Sequence, residues 1–219
     1  MFNLKFLSTL SAAALLGACA ATTPTVPVIP AGAIGNATAN ADGTYTVTAN
    51  STSYDLGTPT TVASGNTLRF YGFTPQSRAR GFSNADVTAI GGTLADGTAF
   101  SGISGTAAAS VPTTGTATYS ARFAVVYPTI SGSPVIGGLD GAQTISVDFA
   151  AGSVNSSGAL SLDGTISGVT FTGTATCSYG TNGCSATVPM EGGFYGTDGI
   201  AAAFAGTGLA GAVYGTKNP

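Results

Sequence analysis

From Thr44 onward, apolar and polar residues take turns along the chain with a period of two. Tyr45, Val47 and Ala49 alternate with Thr44, Thr46 and Thr48, and Ile145, Val147 and Phe149 alternate with Thr144, Ser146 and Asp148. Leu160, Leu162 and Ile166 stand against Ser161, Asp163 and Thr165, while Val169, Phe171, Gly173 and Ala175 stand against Thr170, Thr172, Thr174 and Thr176. Successive side chains of a strand point to opposite faces, so each run predicts a strand with one buried face and one wet face. Outside the first residues, no stretch carries the 3.6-residue repeat of a helix. Many short strands broken by glycine-containing turns predict an all-β chain, a barrel or a sandwich.

The composition of the 219 residues agrees. Thirty-three glycines in a chain with only 7% charged residues suit either disorder or tight turns between strands. Disordered chains are poor in hydrophobic residues, whereas 43% of this one is hydrophobic and the pattern is ordered. Asp42, Asp96, Asp140, Asp163 and Asp198 each precede a glycine. Asp-Gly is a hairpin-turn signal, because both residues tolerate positive φ. This leaves Asp55, Asp86, Asp148 and Glu191 for other work.

At the N-terminus, Phe6–Leu16 is apolar but too short to remain as a membrane-spanning helix. Leu16-Gly17-Ala18-Cys19 follows, which resembles the bacterial lipobox: an apolar residue, two small ones, then the cysteine that is acylated after cleavage. An ordinary secretory signal cut after Ala18 or Ala20 is the alternative. Several acyl chains, at about 0.8 kcal/mol per buried methylene, hold a protein stably on a membrane. Ala20 follows Cys19, where an aspartate is the inner-membrane retention signal of lipoproteins, so outer-membrane sorting is expected. With Cys19 lipidated, Cys177 and Cys184 are left as an even pair in an oxidising compartment. A disulfide between them is expected, with a metal site as its weaker competitor.

These features divide the chain into a signal peptide at 1–18, a flexible tether at 19–38, a β-rich N-terminal region at 39–112 and a barrel-like region at 113–219. Pro24, Pro27 and Pro30 favour an extended tether.

Catalysis has little to work with. The chain has no histidine and its lysines are Lys5 and Lys217, so neither a general base nor the usual zinc or haem ligand is supplied. Asp148 and Glu191 are the acids a glycosidase would need to set face to face. Gly206-Thr207-Gly208-Leu209-Ala210-Gly211 matches a dinucleotide fingerprint in letters only, since no helix or downstream acid can follow it, and it reads as a hairpin. No enzyme activity, cofactor or metal is therefore expected. Six basic residues against nine acids, net charge −3, exclude binding to nucleic acid by counterion release. Arg69, Tyr71, Arg78 and Arg80 form the densest basic and aromatic group and the candidate partner surface. The plainer alternative is a strand whose arginines solvate a weakly charged protein.

Beyond Gly115 the order of elements resembles the C-terminal barrel domain of transferrin-binding protein B and its relatives. Gly115-Thr116-Ala117-Thr118-Tyr119 is similar to the first barrel strand of that family, and Val147-Asp148-Phe149 with Ala150-Ala151-Gly152-Ser153-Val154 to its Asp-Phe strand and turn. Gly192-Gly193-Phe194-Tyr195-Gly196, a small-residue run to Phe204 and the closing Gly211-Ala212-Val213-Tyr214-Gly215-Thr216-Lys217 complete the likeness. Thr197-Asp198 stands where the family usually has Pro-Asn, and Ser120-Ala121 where a glycine is common. The resemblance implies an eight-stranded antiparallel β-barrel on a surface lipoprotein. It further implies a partner such as a host or environmental protein, or haem, in iron acquisition. A structural or adhesin-like envelope protein, or a barrel inserted in the membrane, is the rival. The inward or outward aim of Ile145, Val147, Phe149, Val169 and Phe171 separates the inserted barrel from a water-soluble one.

Overall fold

A computed structural model describes residues 33–58, 60–64, 67–74, 77–94, 96–131, 133–180 and 183–219. The described chain is all strand, in two groups. The first holds β1 (Ala33–Ala39), β2 (Tyr45–Ala49), β3 (Thr52–Asp55), β4 (Thr60–Ser64), β5 (Thr67–Thr74), β6 (Ser77–Ser83), β7 (Val87–Leu94) and β8 (Ala99–Gly105). β1 occupies part of the stretch assigned above to the tether, so regular structure begins inside residues 19–38. Cys19 lies outside the described residues.

These strands form one sheet in the order β3-β2-β1-β8-β7-β6-β5-β4, with β1 and β8 parallel and every other neighbour antiparallel. The outermost strands, β3 and β4, are consecutive in sequence. The link from Asp55 to Thr60 spans at most about 18 Å, whereas eight flat strands at ~4.8 Å spacing put their outer members roughly 34 Å apart. The sheet must therefore curl. Inside the curl lie Tyr45, Val47, Leu56, Ile90 and Phe100, all buried. Tyr54 stacks on Phe100 with ring centroids 4.5 Å apart.

The second group holds β9 (Thr116–Ser131), β10 (Ser133–Asp148), β11 (Ser153–Ser156), β12 (Leu160–Ser167), β13 (Thr170–Ser178), β14 (Ser185–Tyr195), β15 (Gly199–Gly206) and β16 (Leu209–Lys217). They close into an antiparallel barrel, with β16 pairing β9 and β9 pairing β10. Eight strands leave an interior that side chains just fill. Here Phe123, Leu162, Phe171, Met190, Phe194 and Phe204 fill it. Ile145, Val147 and Phe171 are wholly buried in this core and Phe149 packs against it. Val169 differs, because it sits in the β12–β13 turn, where its carbonyl accepts a hydrogen bond from the Phe194 amide. Thr144, Ser146, Thr170, Thr172 and Thr174 are exposed on the outer wall. A barrel that met lipid would reverse this arrangement.

One sector of the outer wall breaks the alternation. β15 is buried on both faces, as is most of β16, because the sheet packs across them. Ala124, Ala201 and Ala212 of the barrel meet Phe82, Val87 and Ala89 of the sheet, and Val126, Ala205 and Ala210 meet Ala99. Small side chains let the two layers approach closely.

Of the five Asp-Gly pairs, Asp42 and Asp96 are turn residues as predicted. Each carboxylate accepts the backbone N–H two residues on, from Thr44 at 3.0 Å and Thr98 at 2.9 Å, and the following glycines have φ of 83° and 86°. Asp198 ends the β14–β15 turn. Asp140 and Asp163 correct the prediction, since both lie within strands, β10 and β12. Gly141 is there because a Cβ would strike the Phe123 ring at 2.8 Å, not because the chain turns. The Gly206–Gly211 string is the β15–β16 hairpin, with Gly208 at φ 87°.

Candidate functional site

The predicted partner surface falls on β5 and β6. Arg69 pairs in register with Phe82 and Tyr71 with Arg80, and the side chains of Arg69 and Tyr71 lie outside the described residues. Arg78 is exposed on β6. Arg80 is mostly buried: its guanidinium crosses to the barrel, 3.6 Å from the Asp140 carboxylate, which also lies 3.5 Å from Arg122 on β9. Arg80 packs so closely over Gly138 that a Cβ there would overlap the guanidinium at 2.5 Å. Of the candidate residues, Arg80 thus ties the sheet to the barrel. Asp140, its partner, was read from the sequence as turn chemistry.

Three of the acids left for other work are also engaged locally. Asp148 accepts the N–H groups of Ala150 and Ala151, each at 2.9 Å, and so shapes the turn after β10. Asp55 accepts the Gly57 N–H at 2.8 Å. The Asp86 carboxyl lies against Gly196, joining the β6–β7 turn to the β14–β15 turn. Glu191 is exposed on the outer wall. Among the described residues, no three His, Cys, Asp or Glu gather as a metal site would require.

The Phe194-Tyr195-Gly196 element joins core to interface. Phe194 points inward and meets Tyr119, Phe149 and Phe171 at centroid distances of 6.2, 5.8 and 5.9 Å. Tyr195 packs on the sheet side, and burial raises its phenol pKa above the usual 10.0. Burial, and then the charge of Asp198, raises that of Tyr119. The segment between sheet and barrel is clamped here: the Ala108 N–H donates to the Phe194 carbonyl and the Gly196 N–H to that of Thr106, at 2.9 and 3.0 Å.

Cys177 and Cys184 form a disulfide, with Cα atoms 5.6 Å apart, at the β13–β14 end of the barrel. Thr181 and Asn182, between the two cysteines, lie outside the described residues.

Beside this loop is a cleft of about 360 Å³ lined by Phe123, Leu139, Gln143, Ser157, Ala159 and Tyr179. Gln143 occupies a core position of the β10 alternation, two residues before Ile145. Its Oε1 and Nε2 are both buried without a hydrogen-bond partner. A buried polar group left unpaired costs roughly 1–3 kcal/mol. Tyr179, on the rim, is half exposed. The sequence held one signal for this site, a glutamine at the parity reserved for apolar residues.

No protein family matches the chain by sequence, and no curated protein matches it. Solved structures do match. A protein described as a surface lipoprotein superposes with a TM-score of 0.51 at 14% identity, over 87% of this chain and 98% of that one. Intact Ap-TbpB, with its N and C lobes, gives a TM-score of 0.48 at 14% identity, over 78% of this chain and 41% of that chain. A transferrin-binding protein B mutant from Haemophilus parasuis gives 0.48 at 15% identity, over 78% and 40%. The chain thus spans less than half the length of the two transferrin-binding proteins. At these identities the likeness is one of fold.

Proposed function

We propose that this chain is a lipid-anchored protein of the outer membrane, exposed at the surface, whose body binds a protein from the host or the surroundings in the acquisition of iron or haem. The observation that carries this reading is the direction of the barrel. Phe123, Phe171, Phe194 and Phe204 fill its interior while threonines and serines cover the free outer wall. Such a barrel is built for water, so attachment to a membrane has to come from elsewhere in the chain. Cys19, at the end of Leu16-Gly17-Ala18, supplies it in this reading. The surface lipoprotein that superposes along nearly its whole length supports the same arrangement of sheet and barrel.

Binding, not catalysis, suits the body. Asp148 shapes a turn, Asp140 joins sheet to barrel, and the chain has no histidine.

Expression in a Gram-negative host with labelled palmitate tests the anchor. Label should enter the native chain and be lost in Cys19→Ser, and protease added to intact cells should remove the body. The purified protein, immobilised and washed with serum or with haem, should retain a specific component. An unlabelled chain whose mature N-terminus is not Cys19 overturns the anchor; retention of nothing overturns the binding role.

A further inference from the structure

Gln143 breaks the packing rule of the barrel. It keeps the inward parity of β10, in step with the buried Ile145 and Val147, and pairs in register with the buried Ala121 of β9. Its carboxamide is buried, and neither Oε1 nor Nε2 has a hydrogen-bond partner among the described residues. An apolar side chain would fill the position without that cost. Sequences depart from such rules chiefly where a functional site requires it.

The same side chain lines the cleft of about 360 Å³ beside the disulfide loop. That volume lies low in the range of small-molecule sites, about 300–1,000 Å³, and the mouth of a barrel is a common place for one. The walls are mixed. Phe123 and Leu139 are apolar, and Ser157 brings a hydroxyl. Gly141 lets the Phe123 ring lie against the β10 backbone, where a Cβ would meet it at 2.8 Å. Tyr179 stands half exposed on the rim and is held from two sides. Its N–H donates to the Cys184 carbonyl at 3.0 Å, across the loop that the disulfide closes. The adjoining Ser178 N–H donates to the Ala159 carbonyl at 2.9 Å. Asp140, also in the wall, is ion-paired with Arg80 and Arg122. The polar demand that Gln143 leaves open is therefore neutral, one donor and one acceptor side by side. An amide group presents the complementary pair. A wholly apolar guest would leave the glutamine unpaired, and Gln143 has no charge with which to select an ion.

We propose that this cleft binds a small acetamido sugar. The acetamido group pairs with the Gln143 carboxamide, and its methyl rests on Phe123 and Leu139. Ser157 takes a ring hydroxyl, and the C–H face of the sugar lies on the Tyr179 ring. The carboxamide turns toward the guest about its own side-chain torsions, and no hydrogen bond has to break for it to do so. The site goes beyond the protein-binding role proposed above and does not rest on it.

The full chain, purified in detergent and labelled with ¹⁵N, is titrated to millimolar concentration with N-acetylglucosamine and with its β1,4-linked dimer. Glucose and N-methylacetamide, each lacking half of the recognised group, are the controls. An acetamido sugar should saturate and shift the Gln143 side-chain amide signal together with the backbone signals of Ser157 and Tyr179. Both controls should bind at least about tenfold more weakly. Gln143→Leu should weaken the sugar by about tenfold while its thermal midpoint stays level or rises, which a glutamine kept for the core alone would not give. Tyr179→Ala, on the rim and outside the core, should weaken it by about threefold and keeps the test decisive if the first variant misfolds. Tighter binding of the dimer assigns the end of a glycan as the source and tighter binding of the monomer a free sugar; either supports the site. No response to either sugar overturns the proposal. So does a control that binds as tightly as the sugars, or sugar binding that ignores both variants.

Discussion

Gly91 of β7 and Gly211 of β16 meet backbone to backbone where the curled sheet crosses the barrel. A Cβ built on Gly91 would overlap the N and Cα atoms of Gly211. The two main chains approach so closely because Gly91 carries no side chain, and the alanines around them, Ala89, Ala201 and Ala212, keep the rest of the interface nearly as thin. The obstruction to a side chain at 91 is the Gly211 backbone, so no rotamer change relieves it. Gly91→Val should destabilise the protein by about 3 kcal/mol, the upper end of what overpacking costs. Urea unfolding followed by circular dichroism measures this.

Asp140 stands between two arginines, Arg80 from the sheet and Arg122 from the barrel. The carboxylate is about a quarter exposed and Arg122 nearly half, so solvent screens much of the attraction. Asp140→Ala nevertheless leaves the mostly buried Arg80 without this partner and should cost about 1–2 kcal/mol. A double-mutant cycle with Arg80→Met should return a coupling of roughly 0.5–1.5 kcal/mol, measurably reduced in high salt.

Cys177 and Cys184 are seven residues apart in sequence and both buried, at the end of the barrel beside the cleft. On the chain-entropy account, closing a loop of this length stabilises by roughly 2–3 kcal/mol. Replacing both cysteines with alanine should lower the unfolding free energy by about that amount. Thermal unfolding with and without reductant should reproduce the difference in the native chain and show none in the variant.

The pH dependence follows from the groups whose affinity for protons changes on folding. The tyrosines Tyr119 and Tyr195 hold their protons more tightly when folded, Tyr119 through burial and then Asp198, Tyr195 through burial. Their contribution is complete below pH 10.0 and falls away as the pH rises through the higher folded values. Asp42 and Asp96 hold theirs less tightly, through bonds from Thr44 and Thr98, so their contribution is lost as the pH drops below 3.8. With no histidine in the chain, stability should be flat between about pH 5 and 9. Unfolding across pH 3–11, with tyrosinate absorbance in the alkaline arm, checks both limbs. A clear inflection near pH 6.5 would contradict this assignment.

The partner surface was less legible than the fold. Arg80 could be recognised as an arginine beside aromatic residues, but not as the partner of Asp140, which lies sixty residues away and joins it only when sheet and barrel dock. The cleft was missed because its walls come from separate parts of the chain: Phe123, Leu139 and Gln143 meet Ser157, Ala159 and Tyr179 only once the barrel has closed. The failed turns at Asp140 and Asp163 share that cause: Asp-Gly permits a turn, while neighbouring strands decided that β10 and β12 run straight through.

By itself the sequence determined the strands and the inward face of most of the barrel, because a two-residue period needs no knowledge of distant partners. Tyr45, Val47, Ile145 and Phe171 are buried as that period demands. The double burial of Ala201, Ala203 and Ala205 was decided by tertiary structure alone. Alanine is small enough for either side of a wall, and only the arrival of β7 and β8 across β15 and β16 turned that outer surface into an interior.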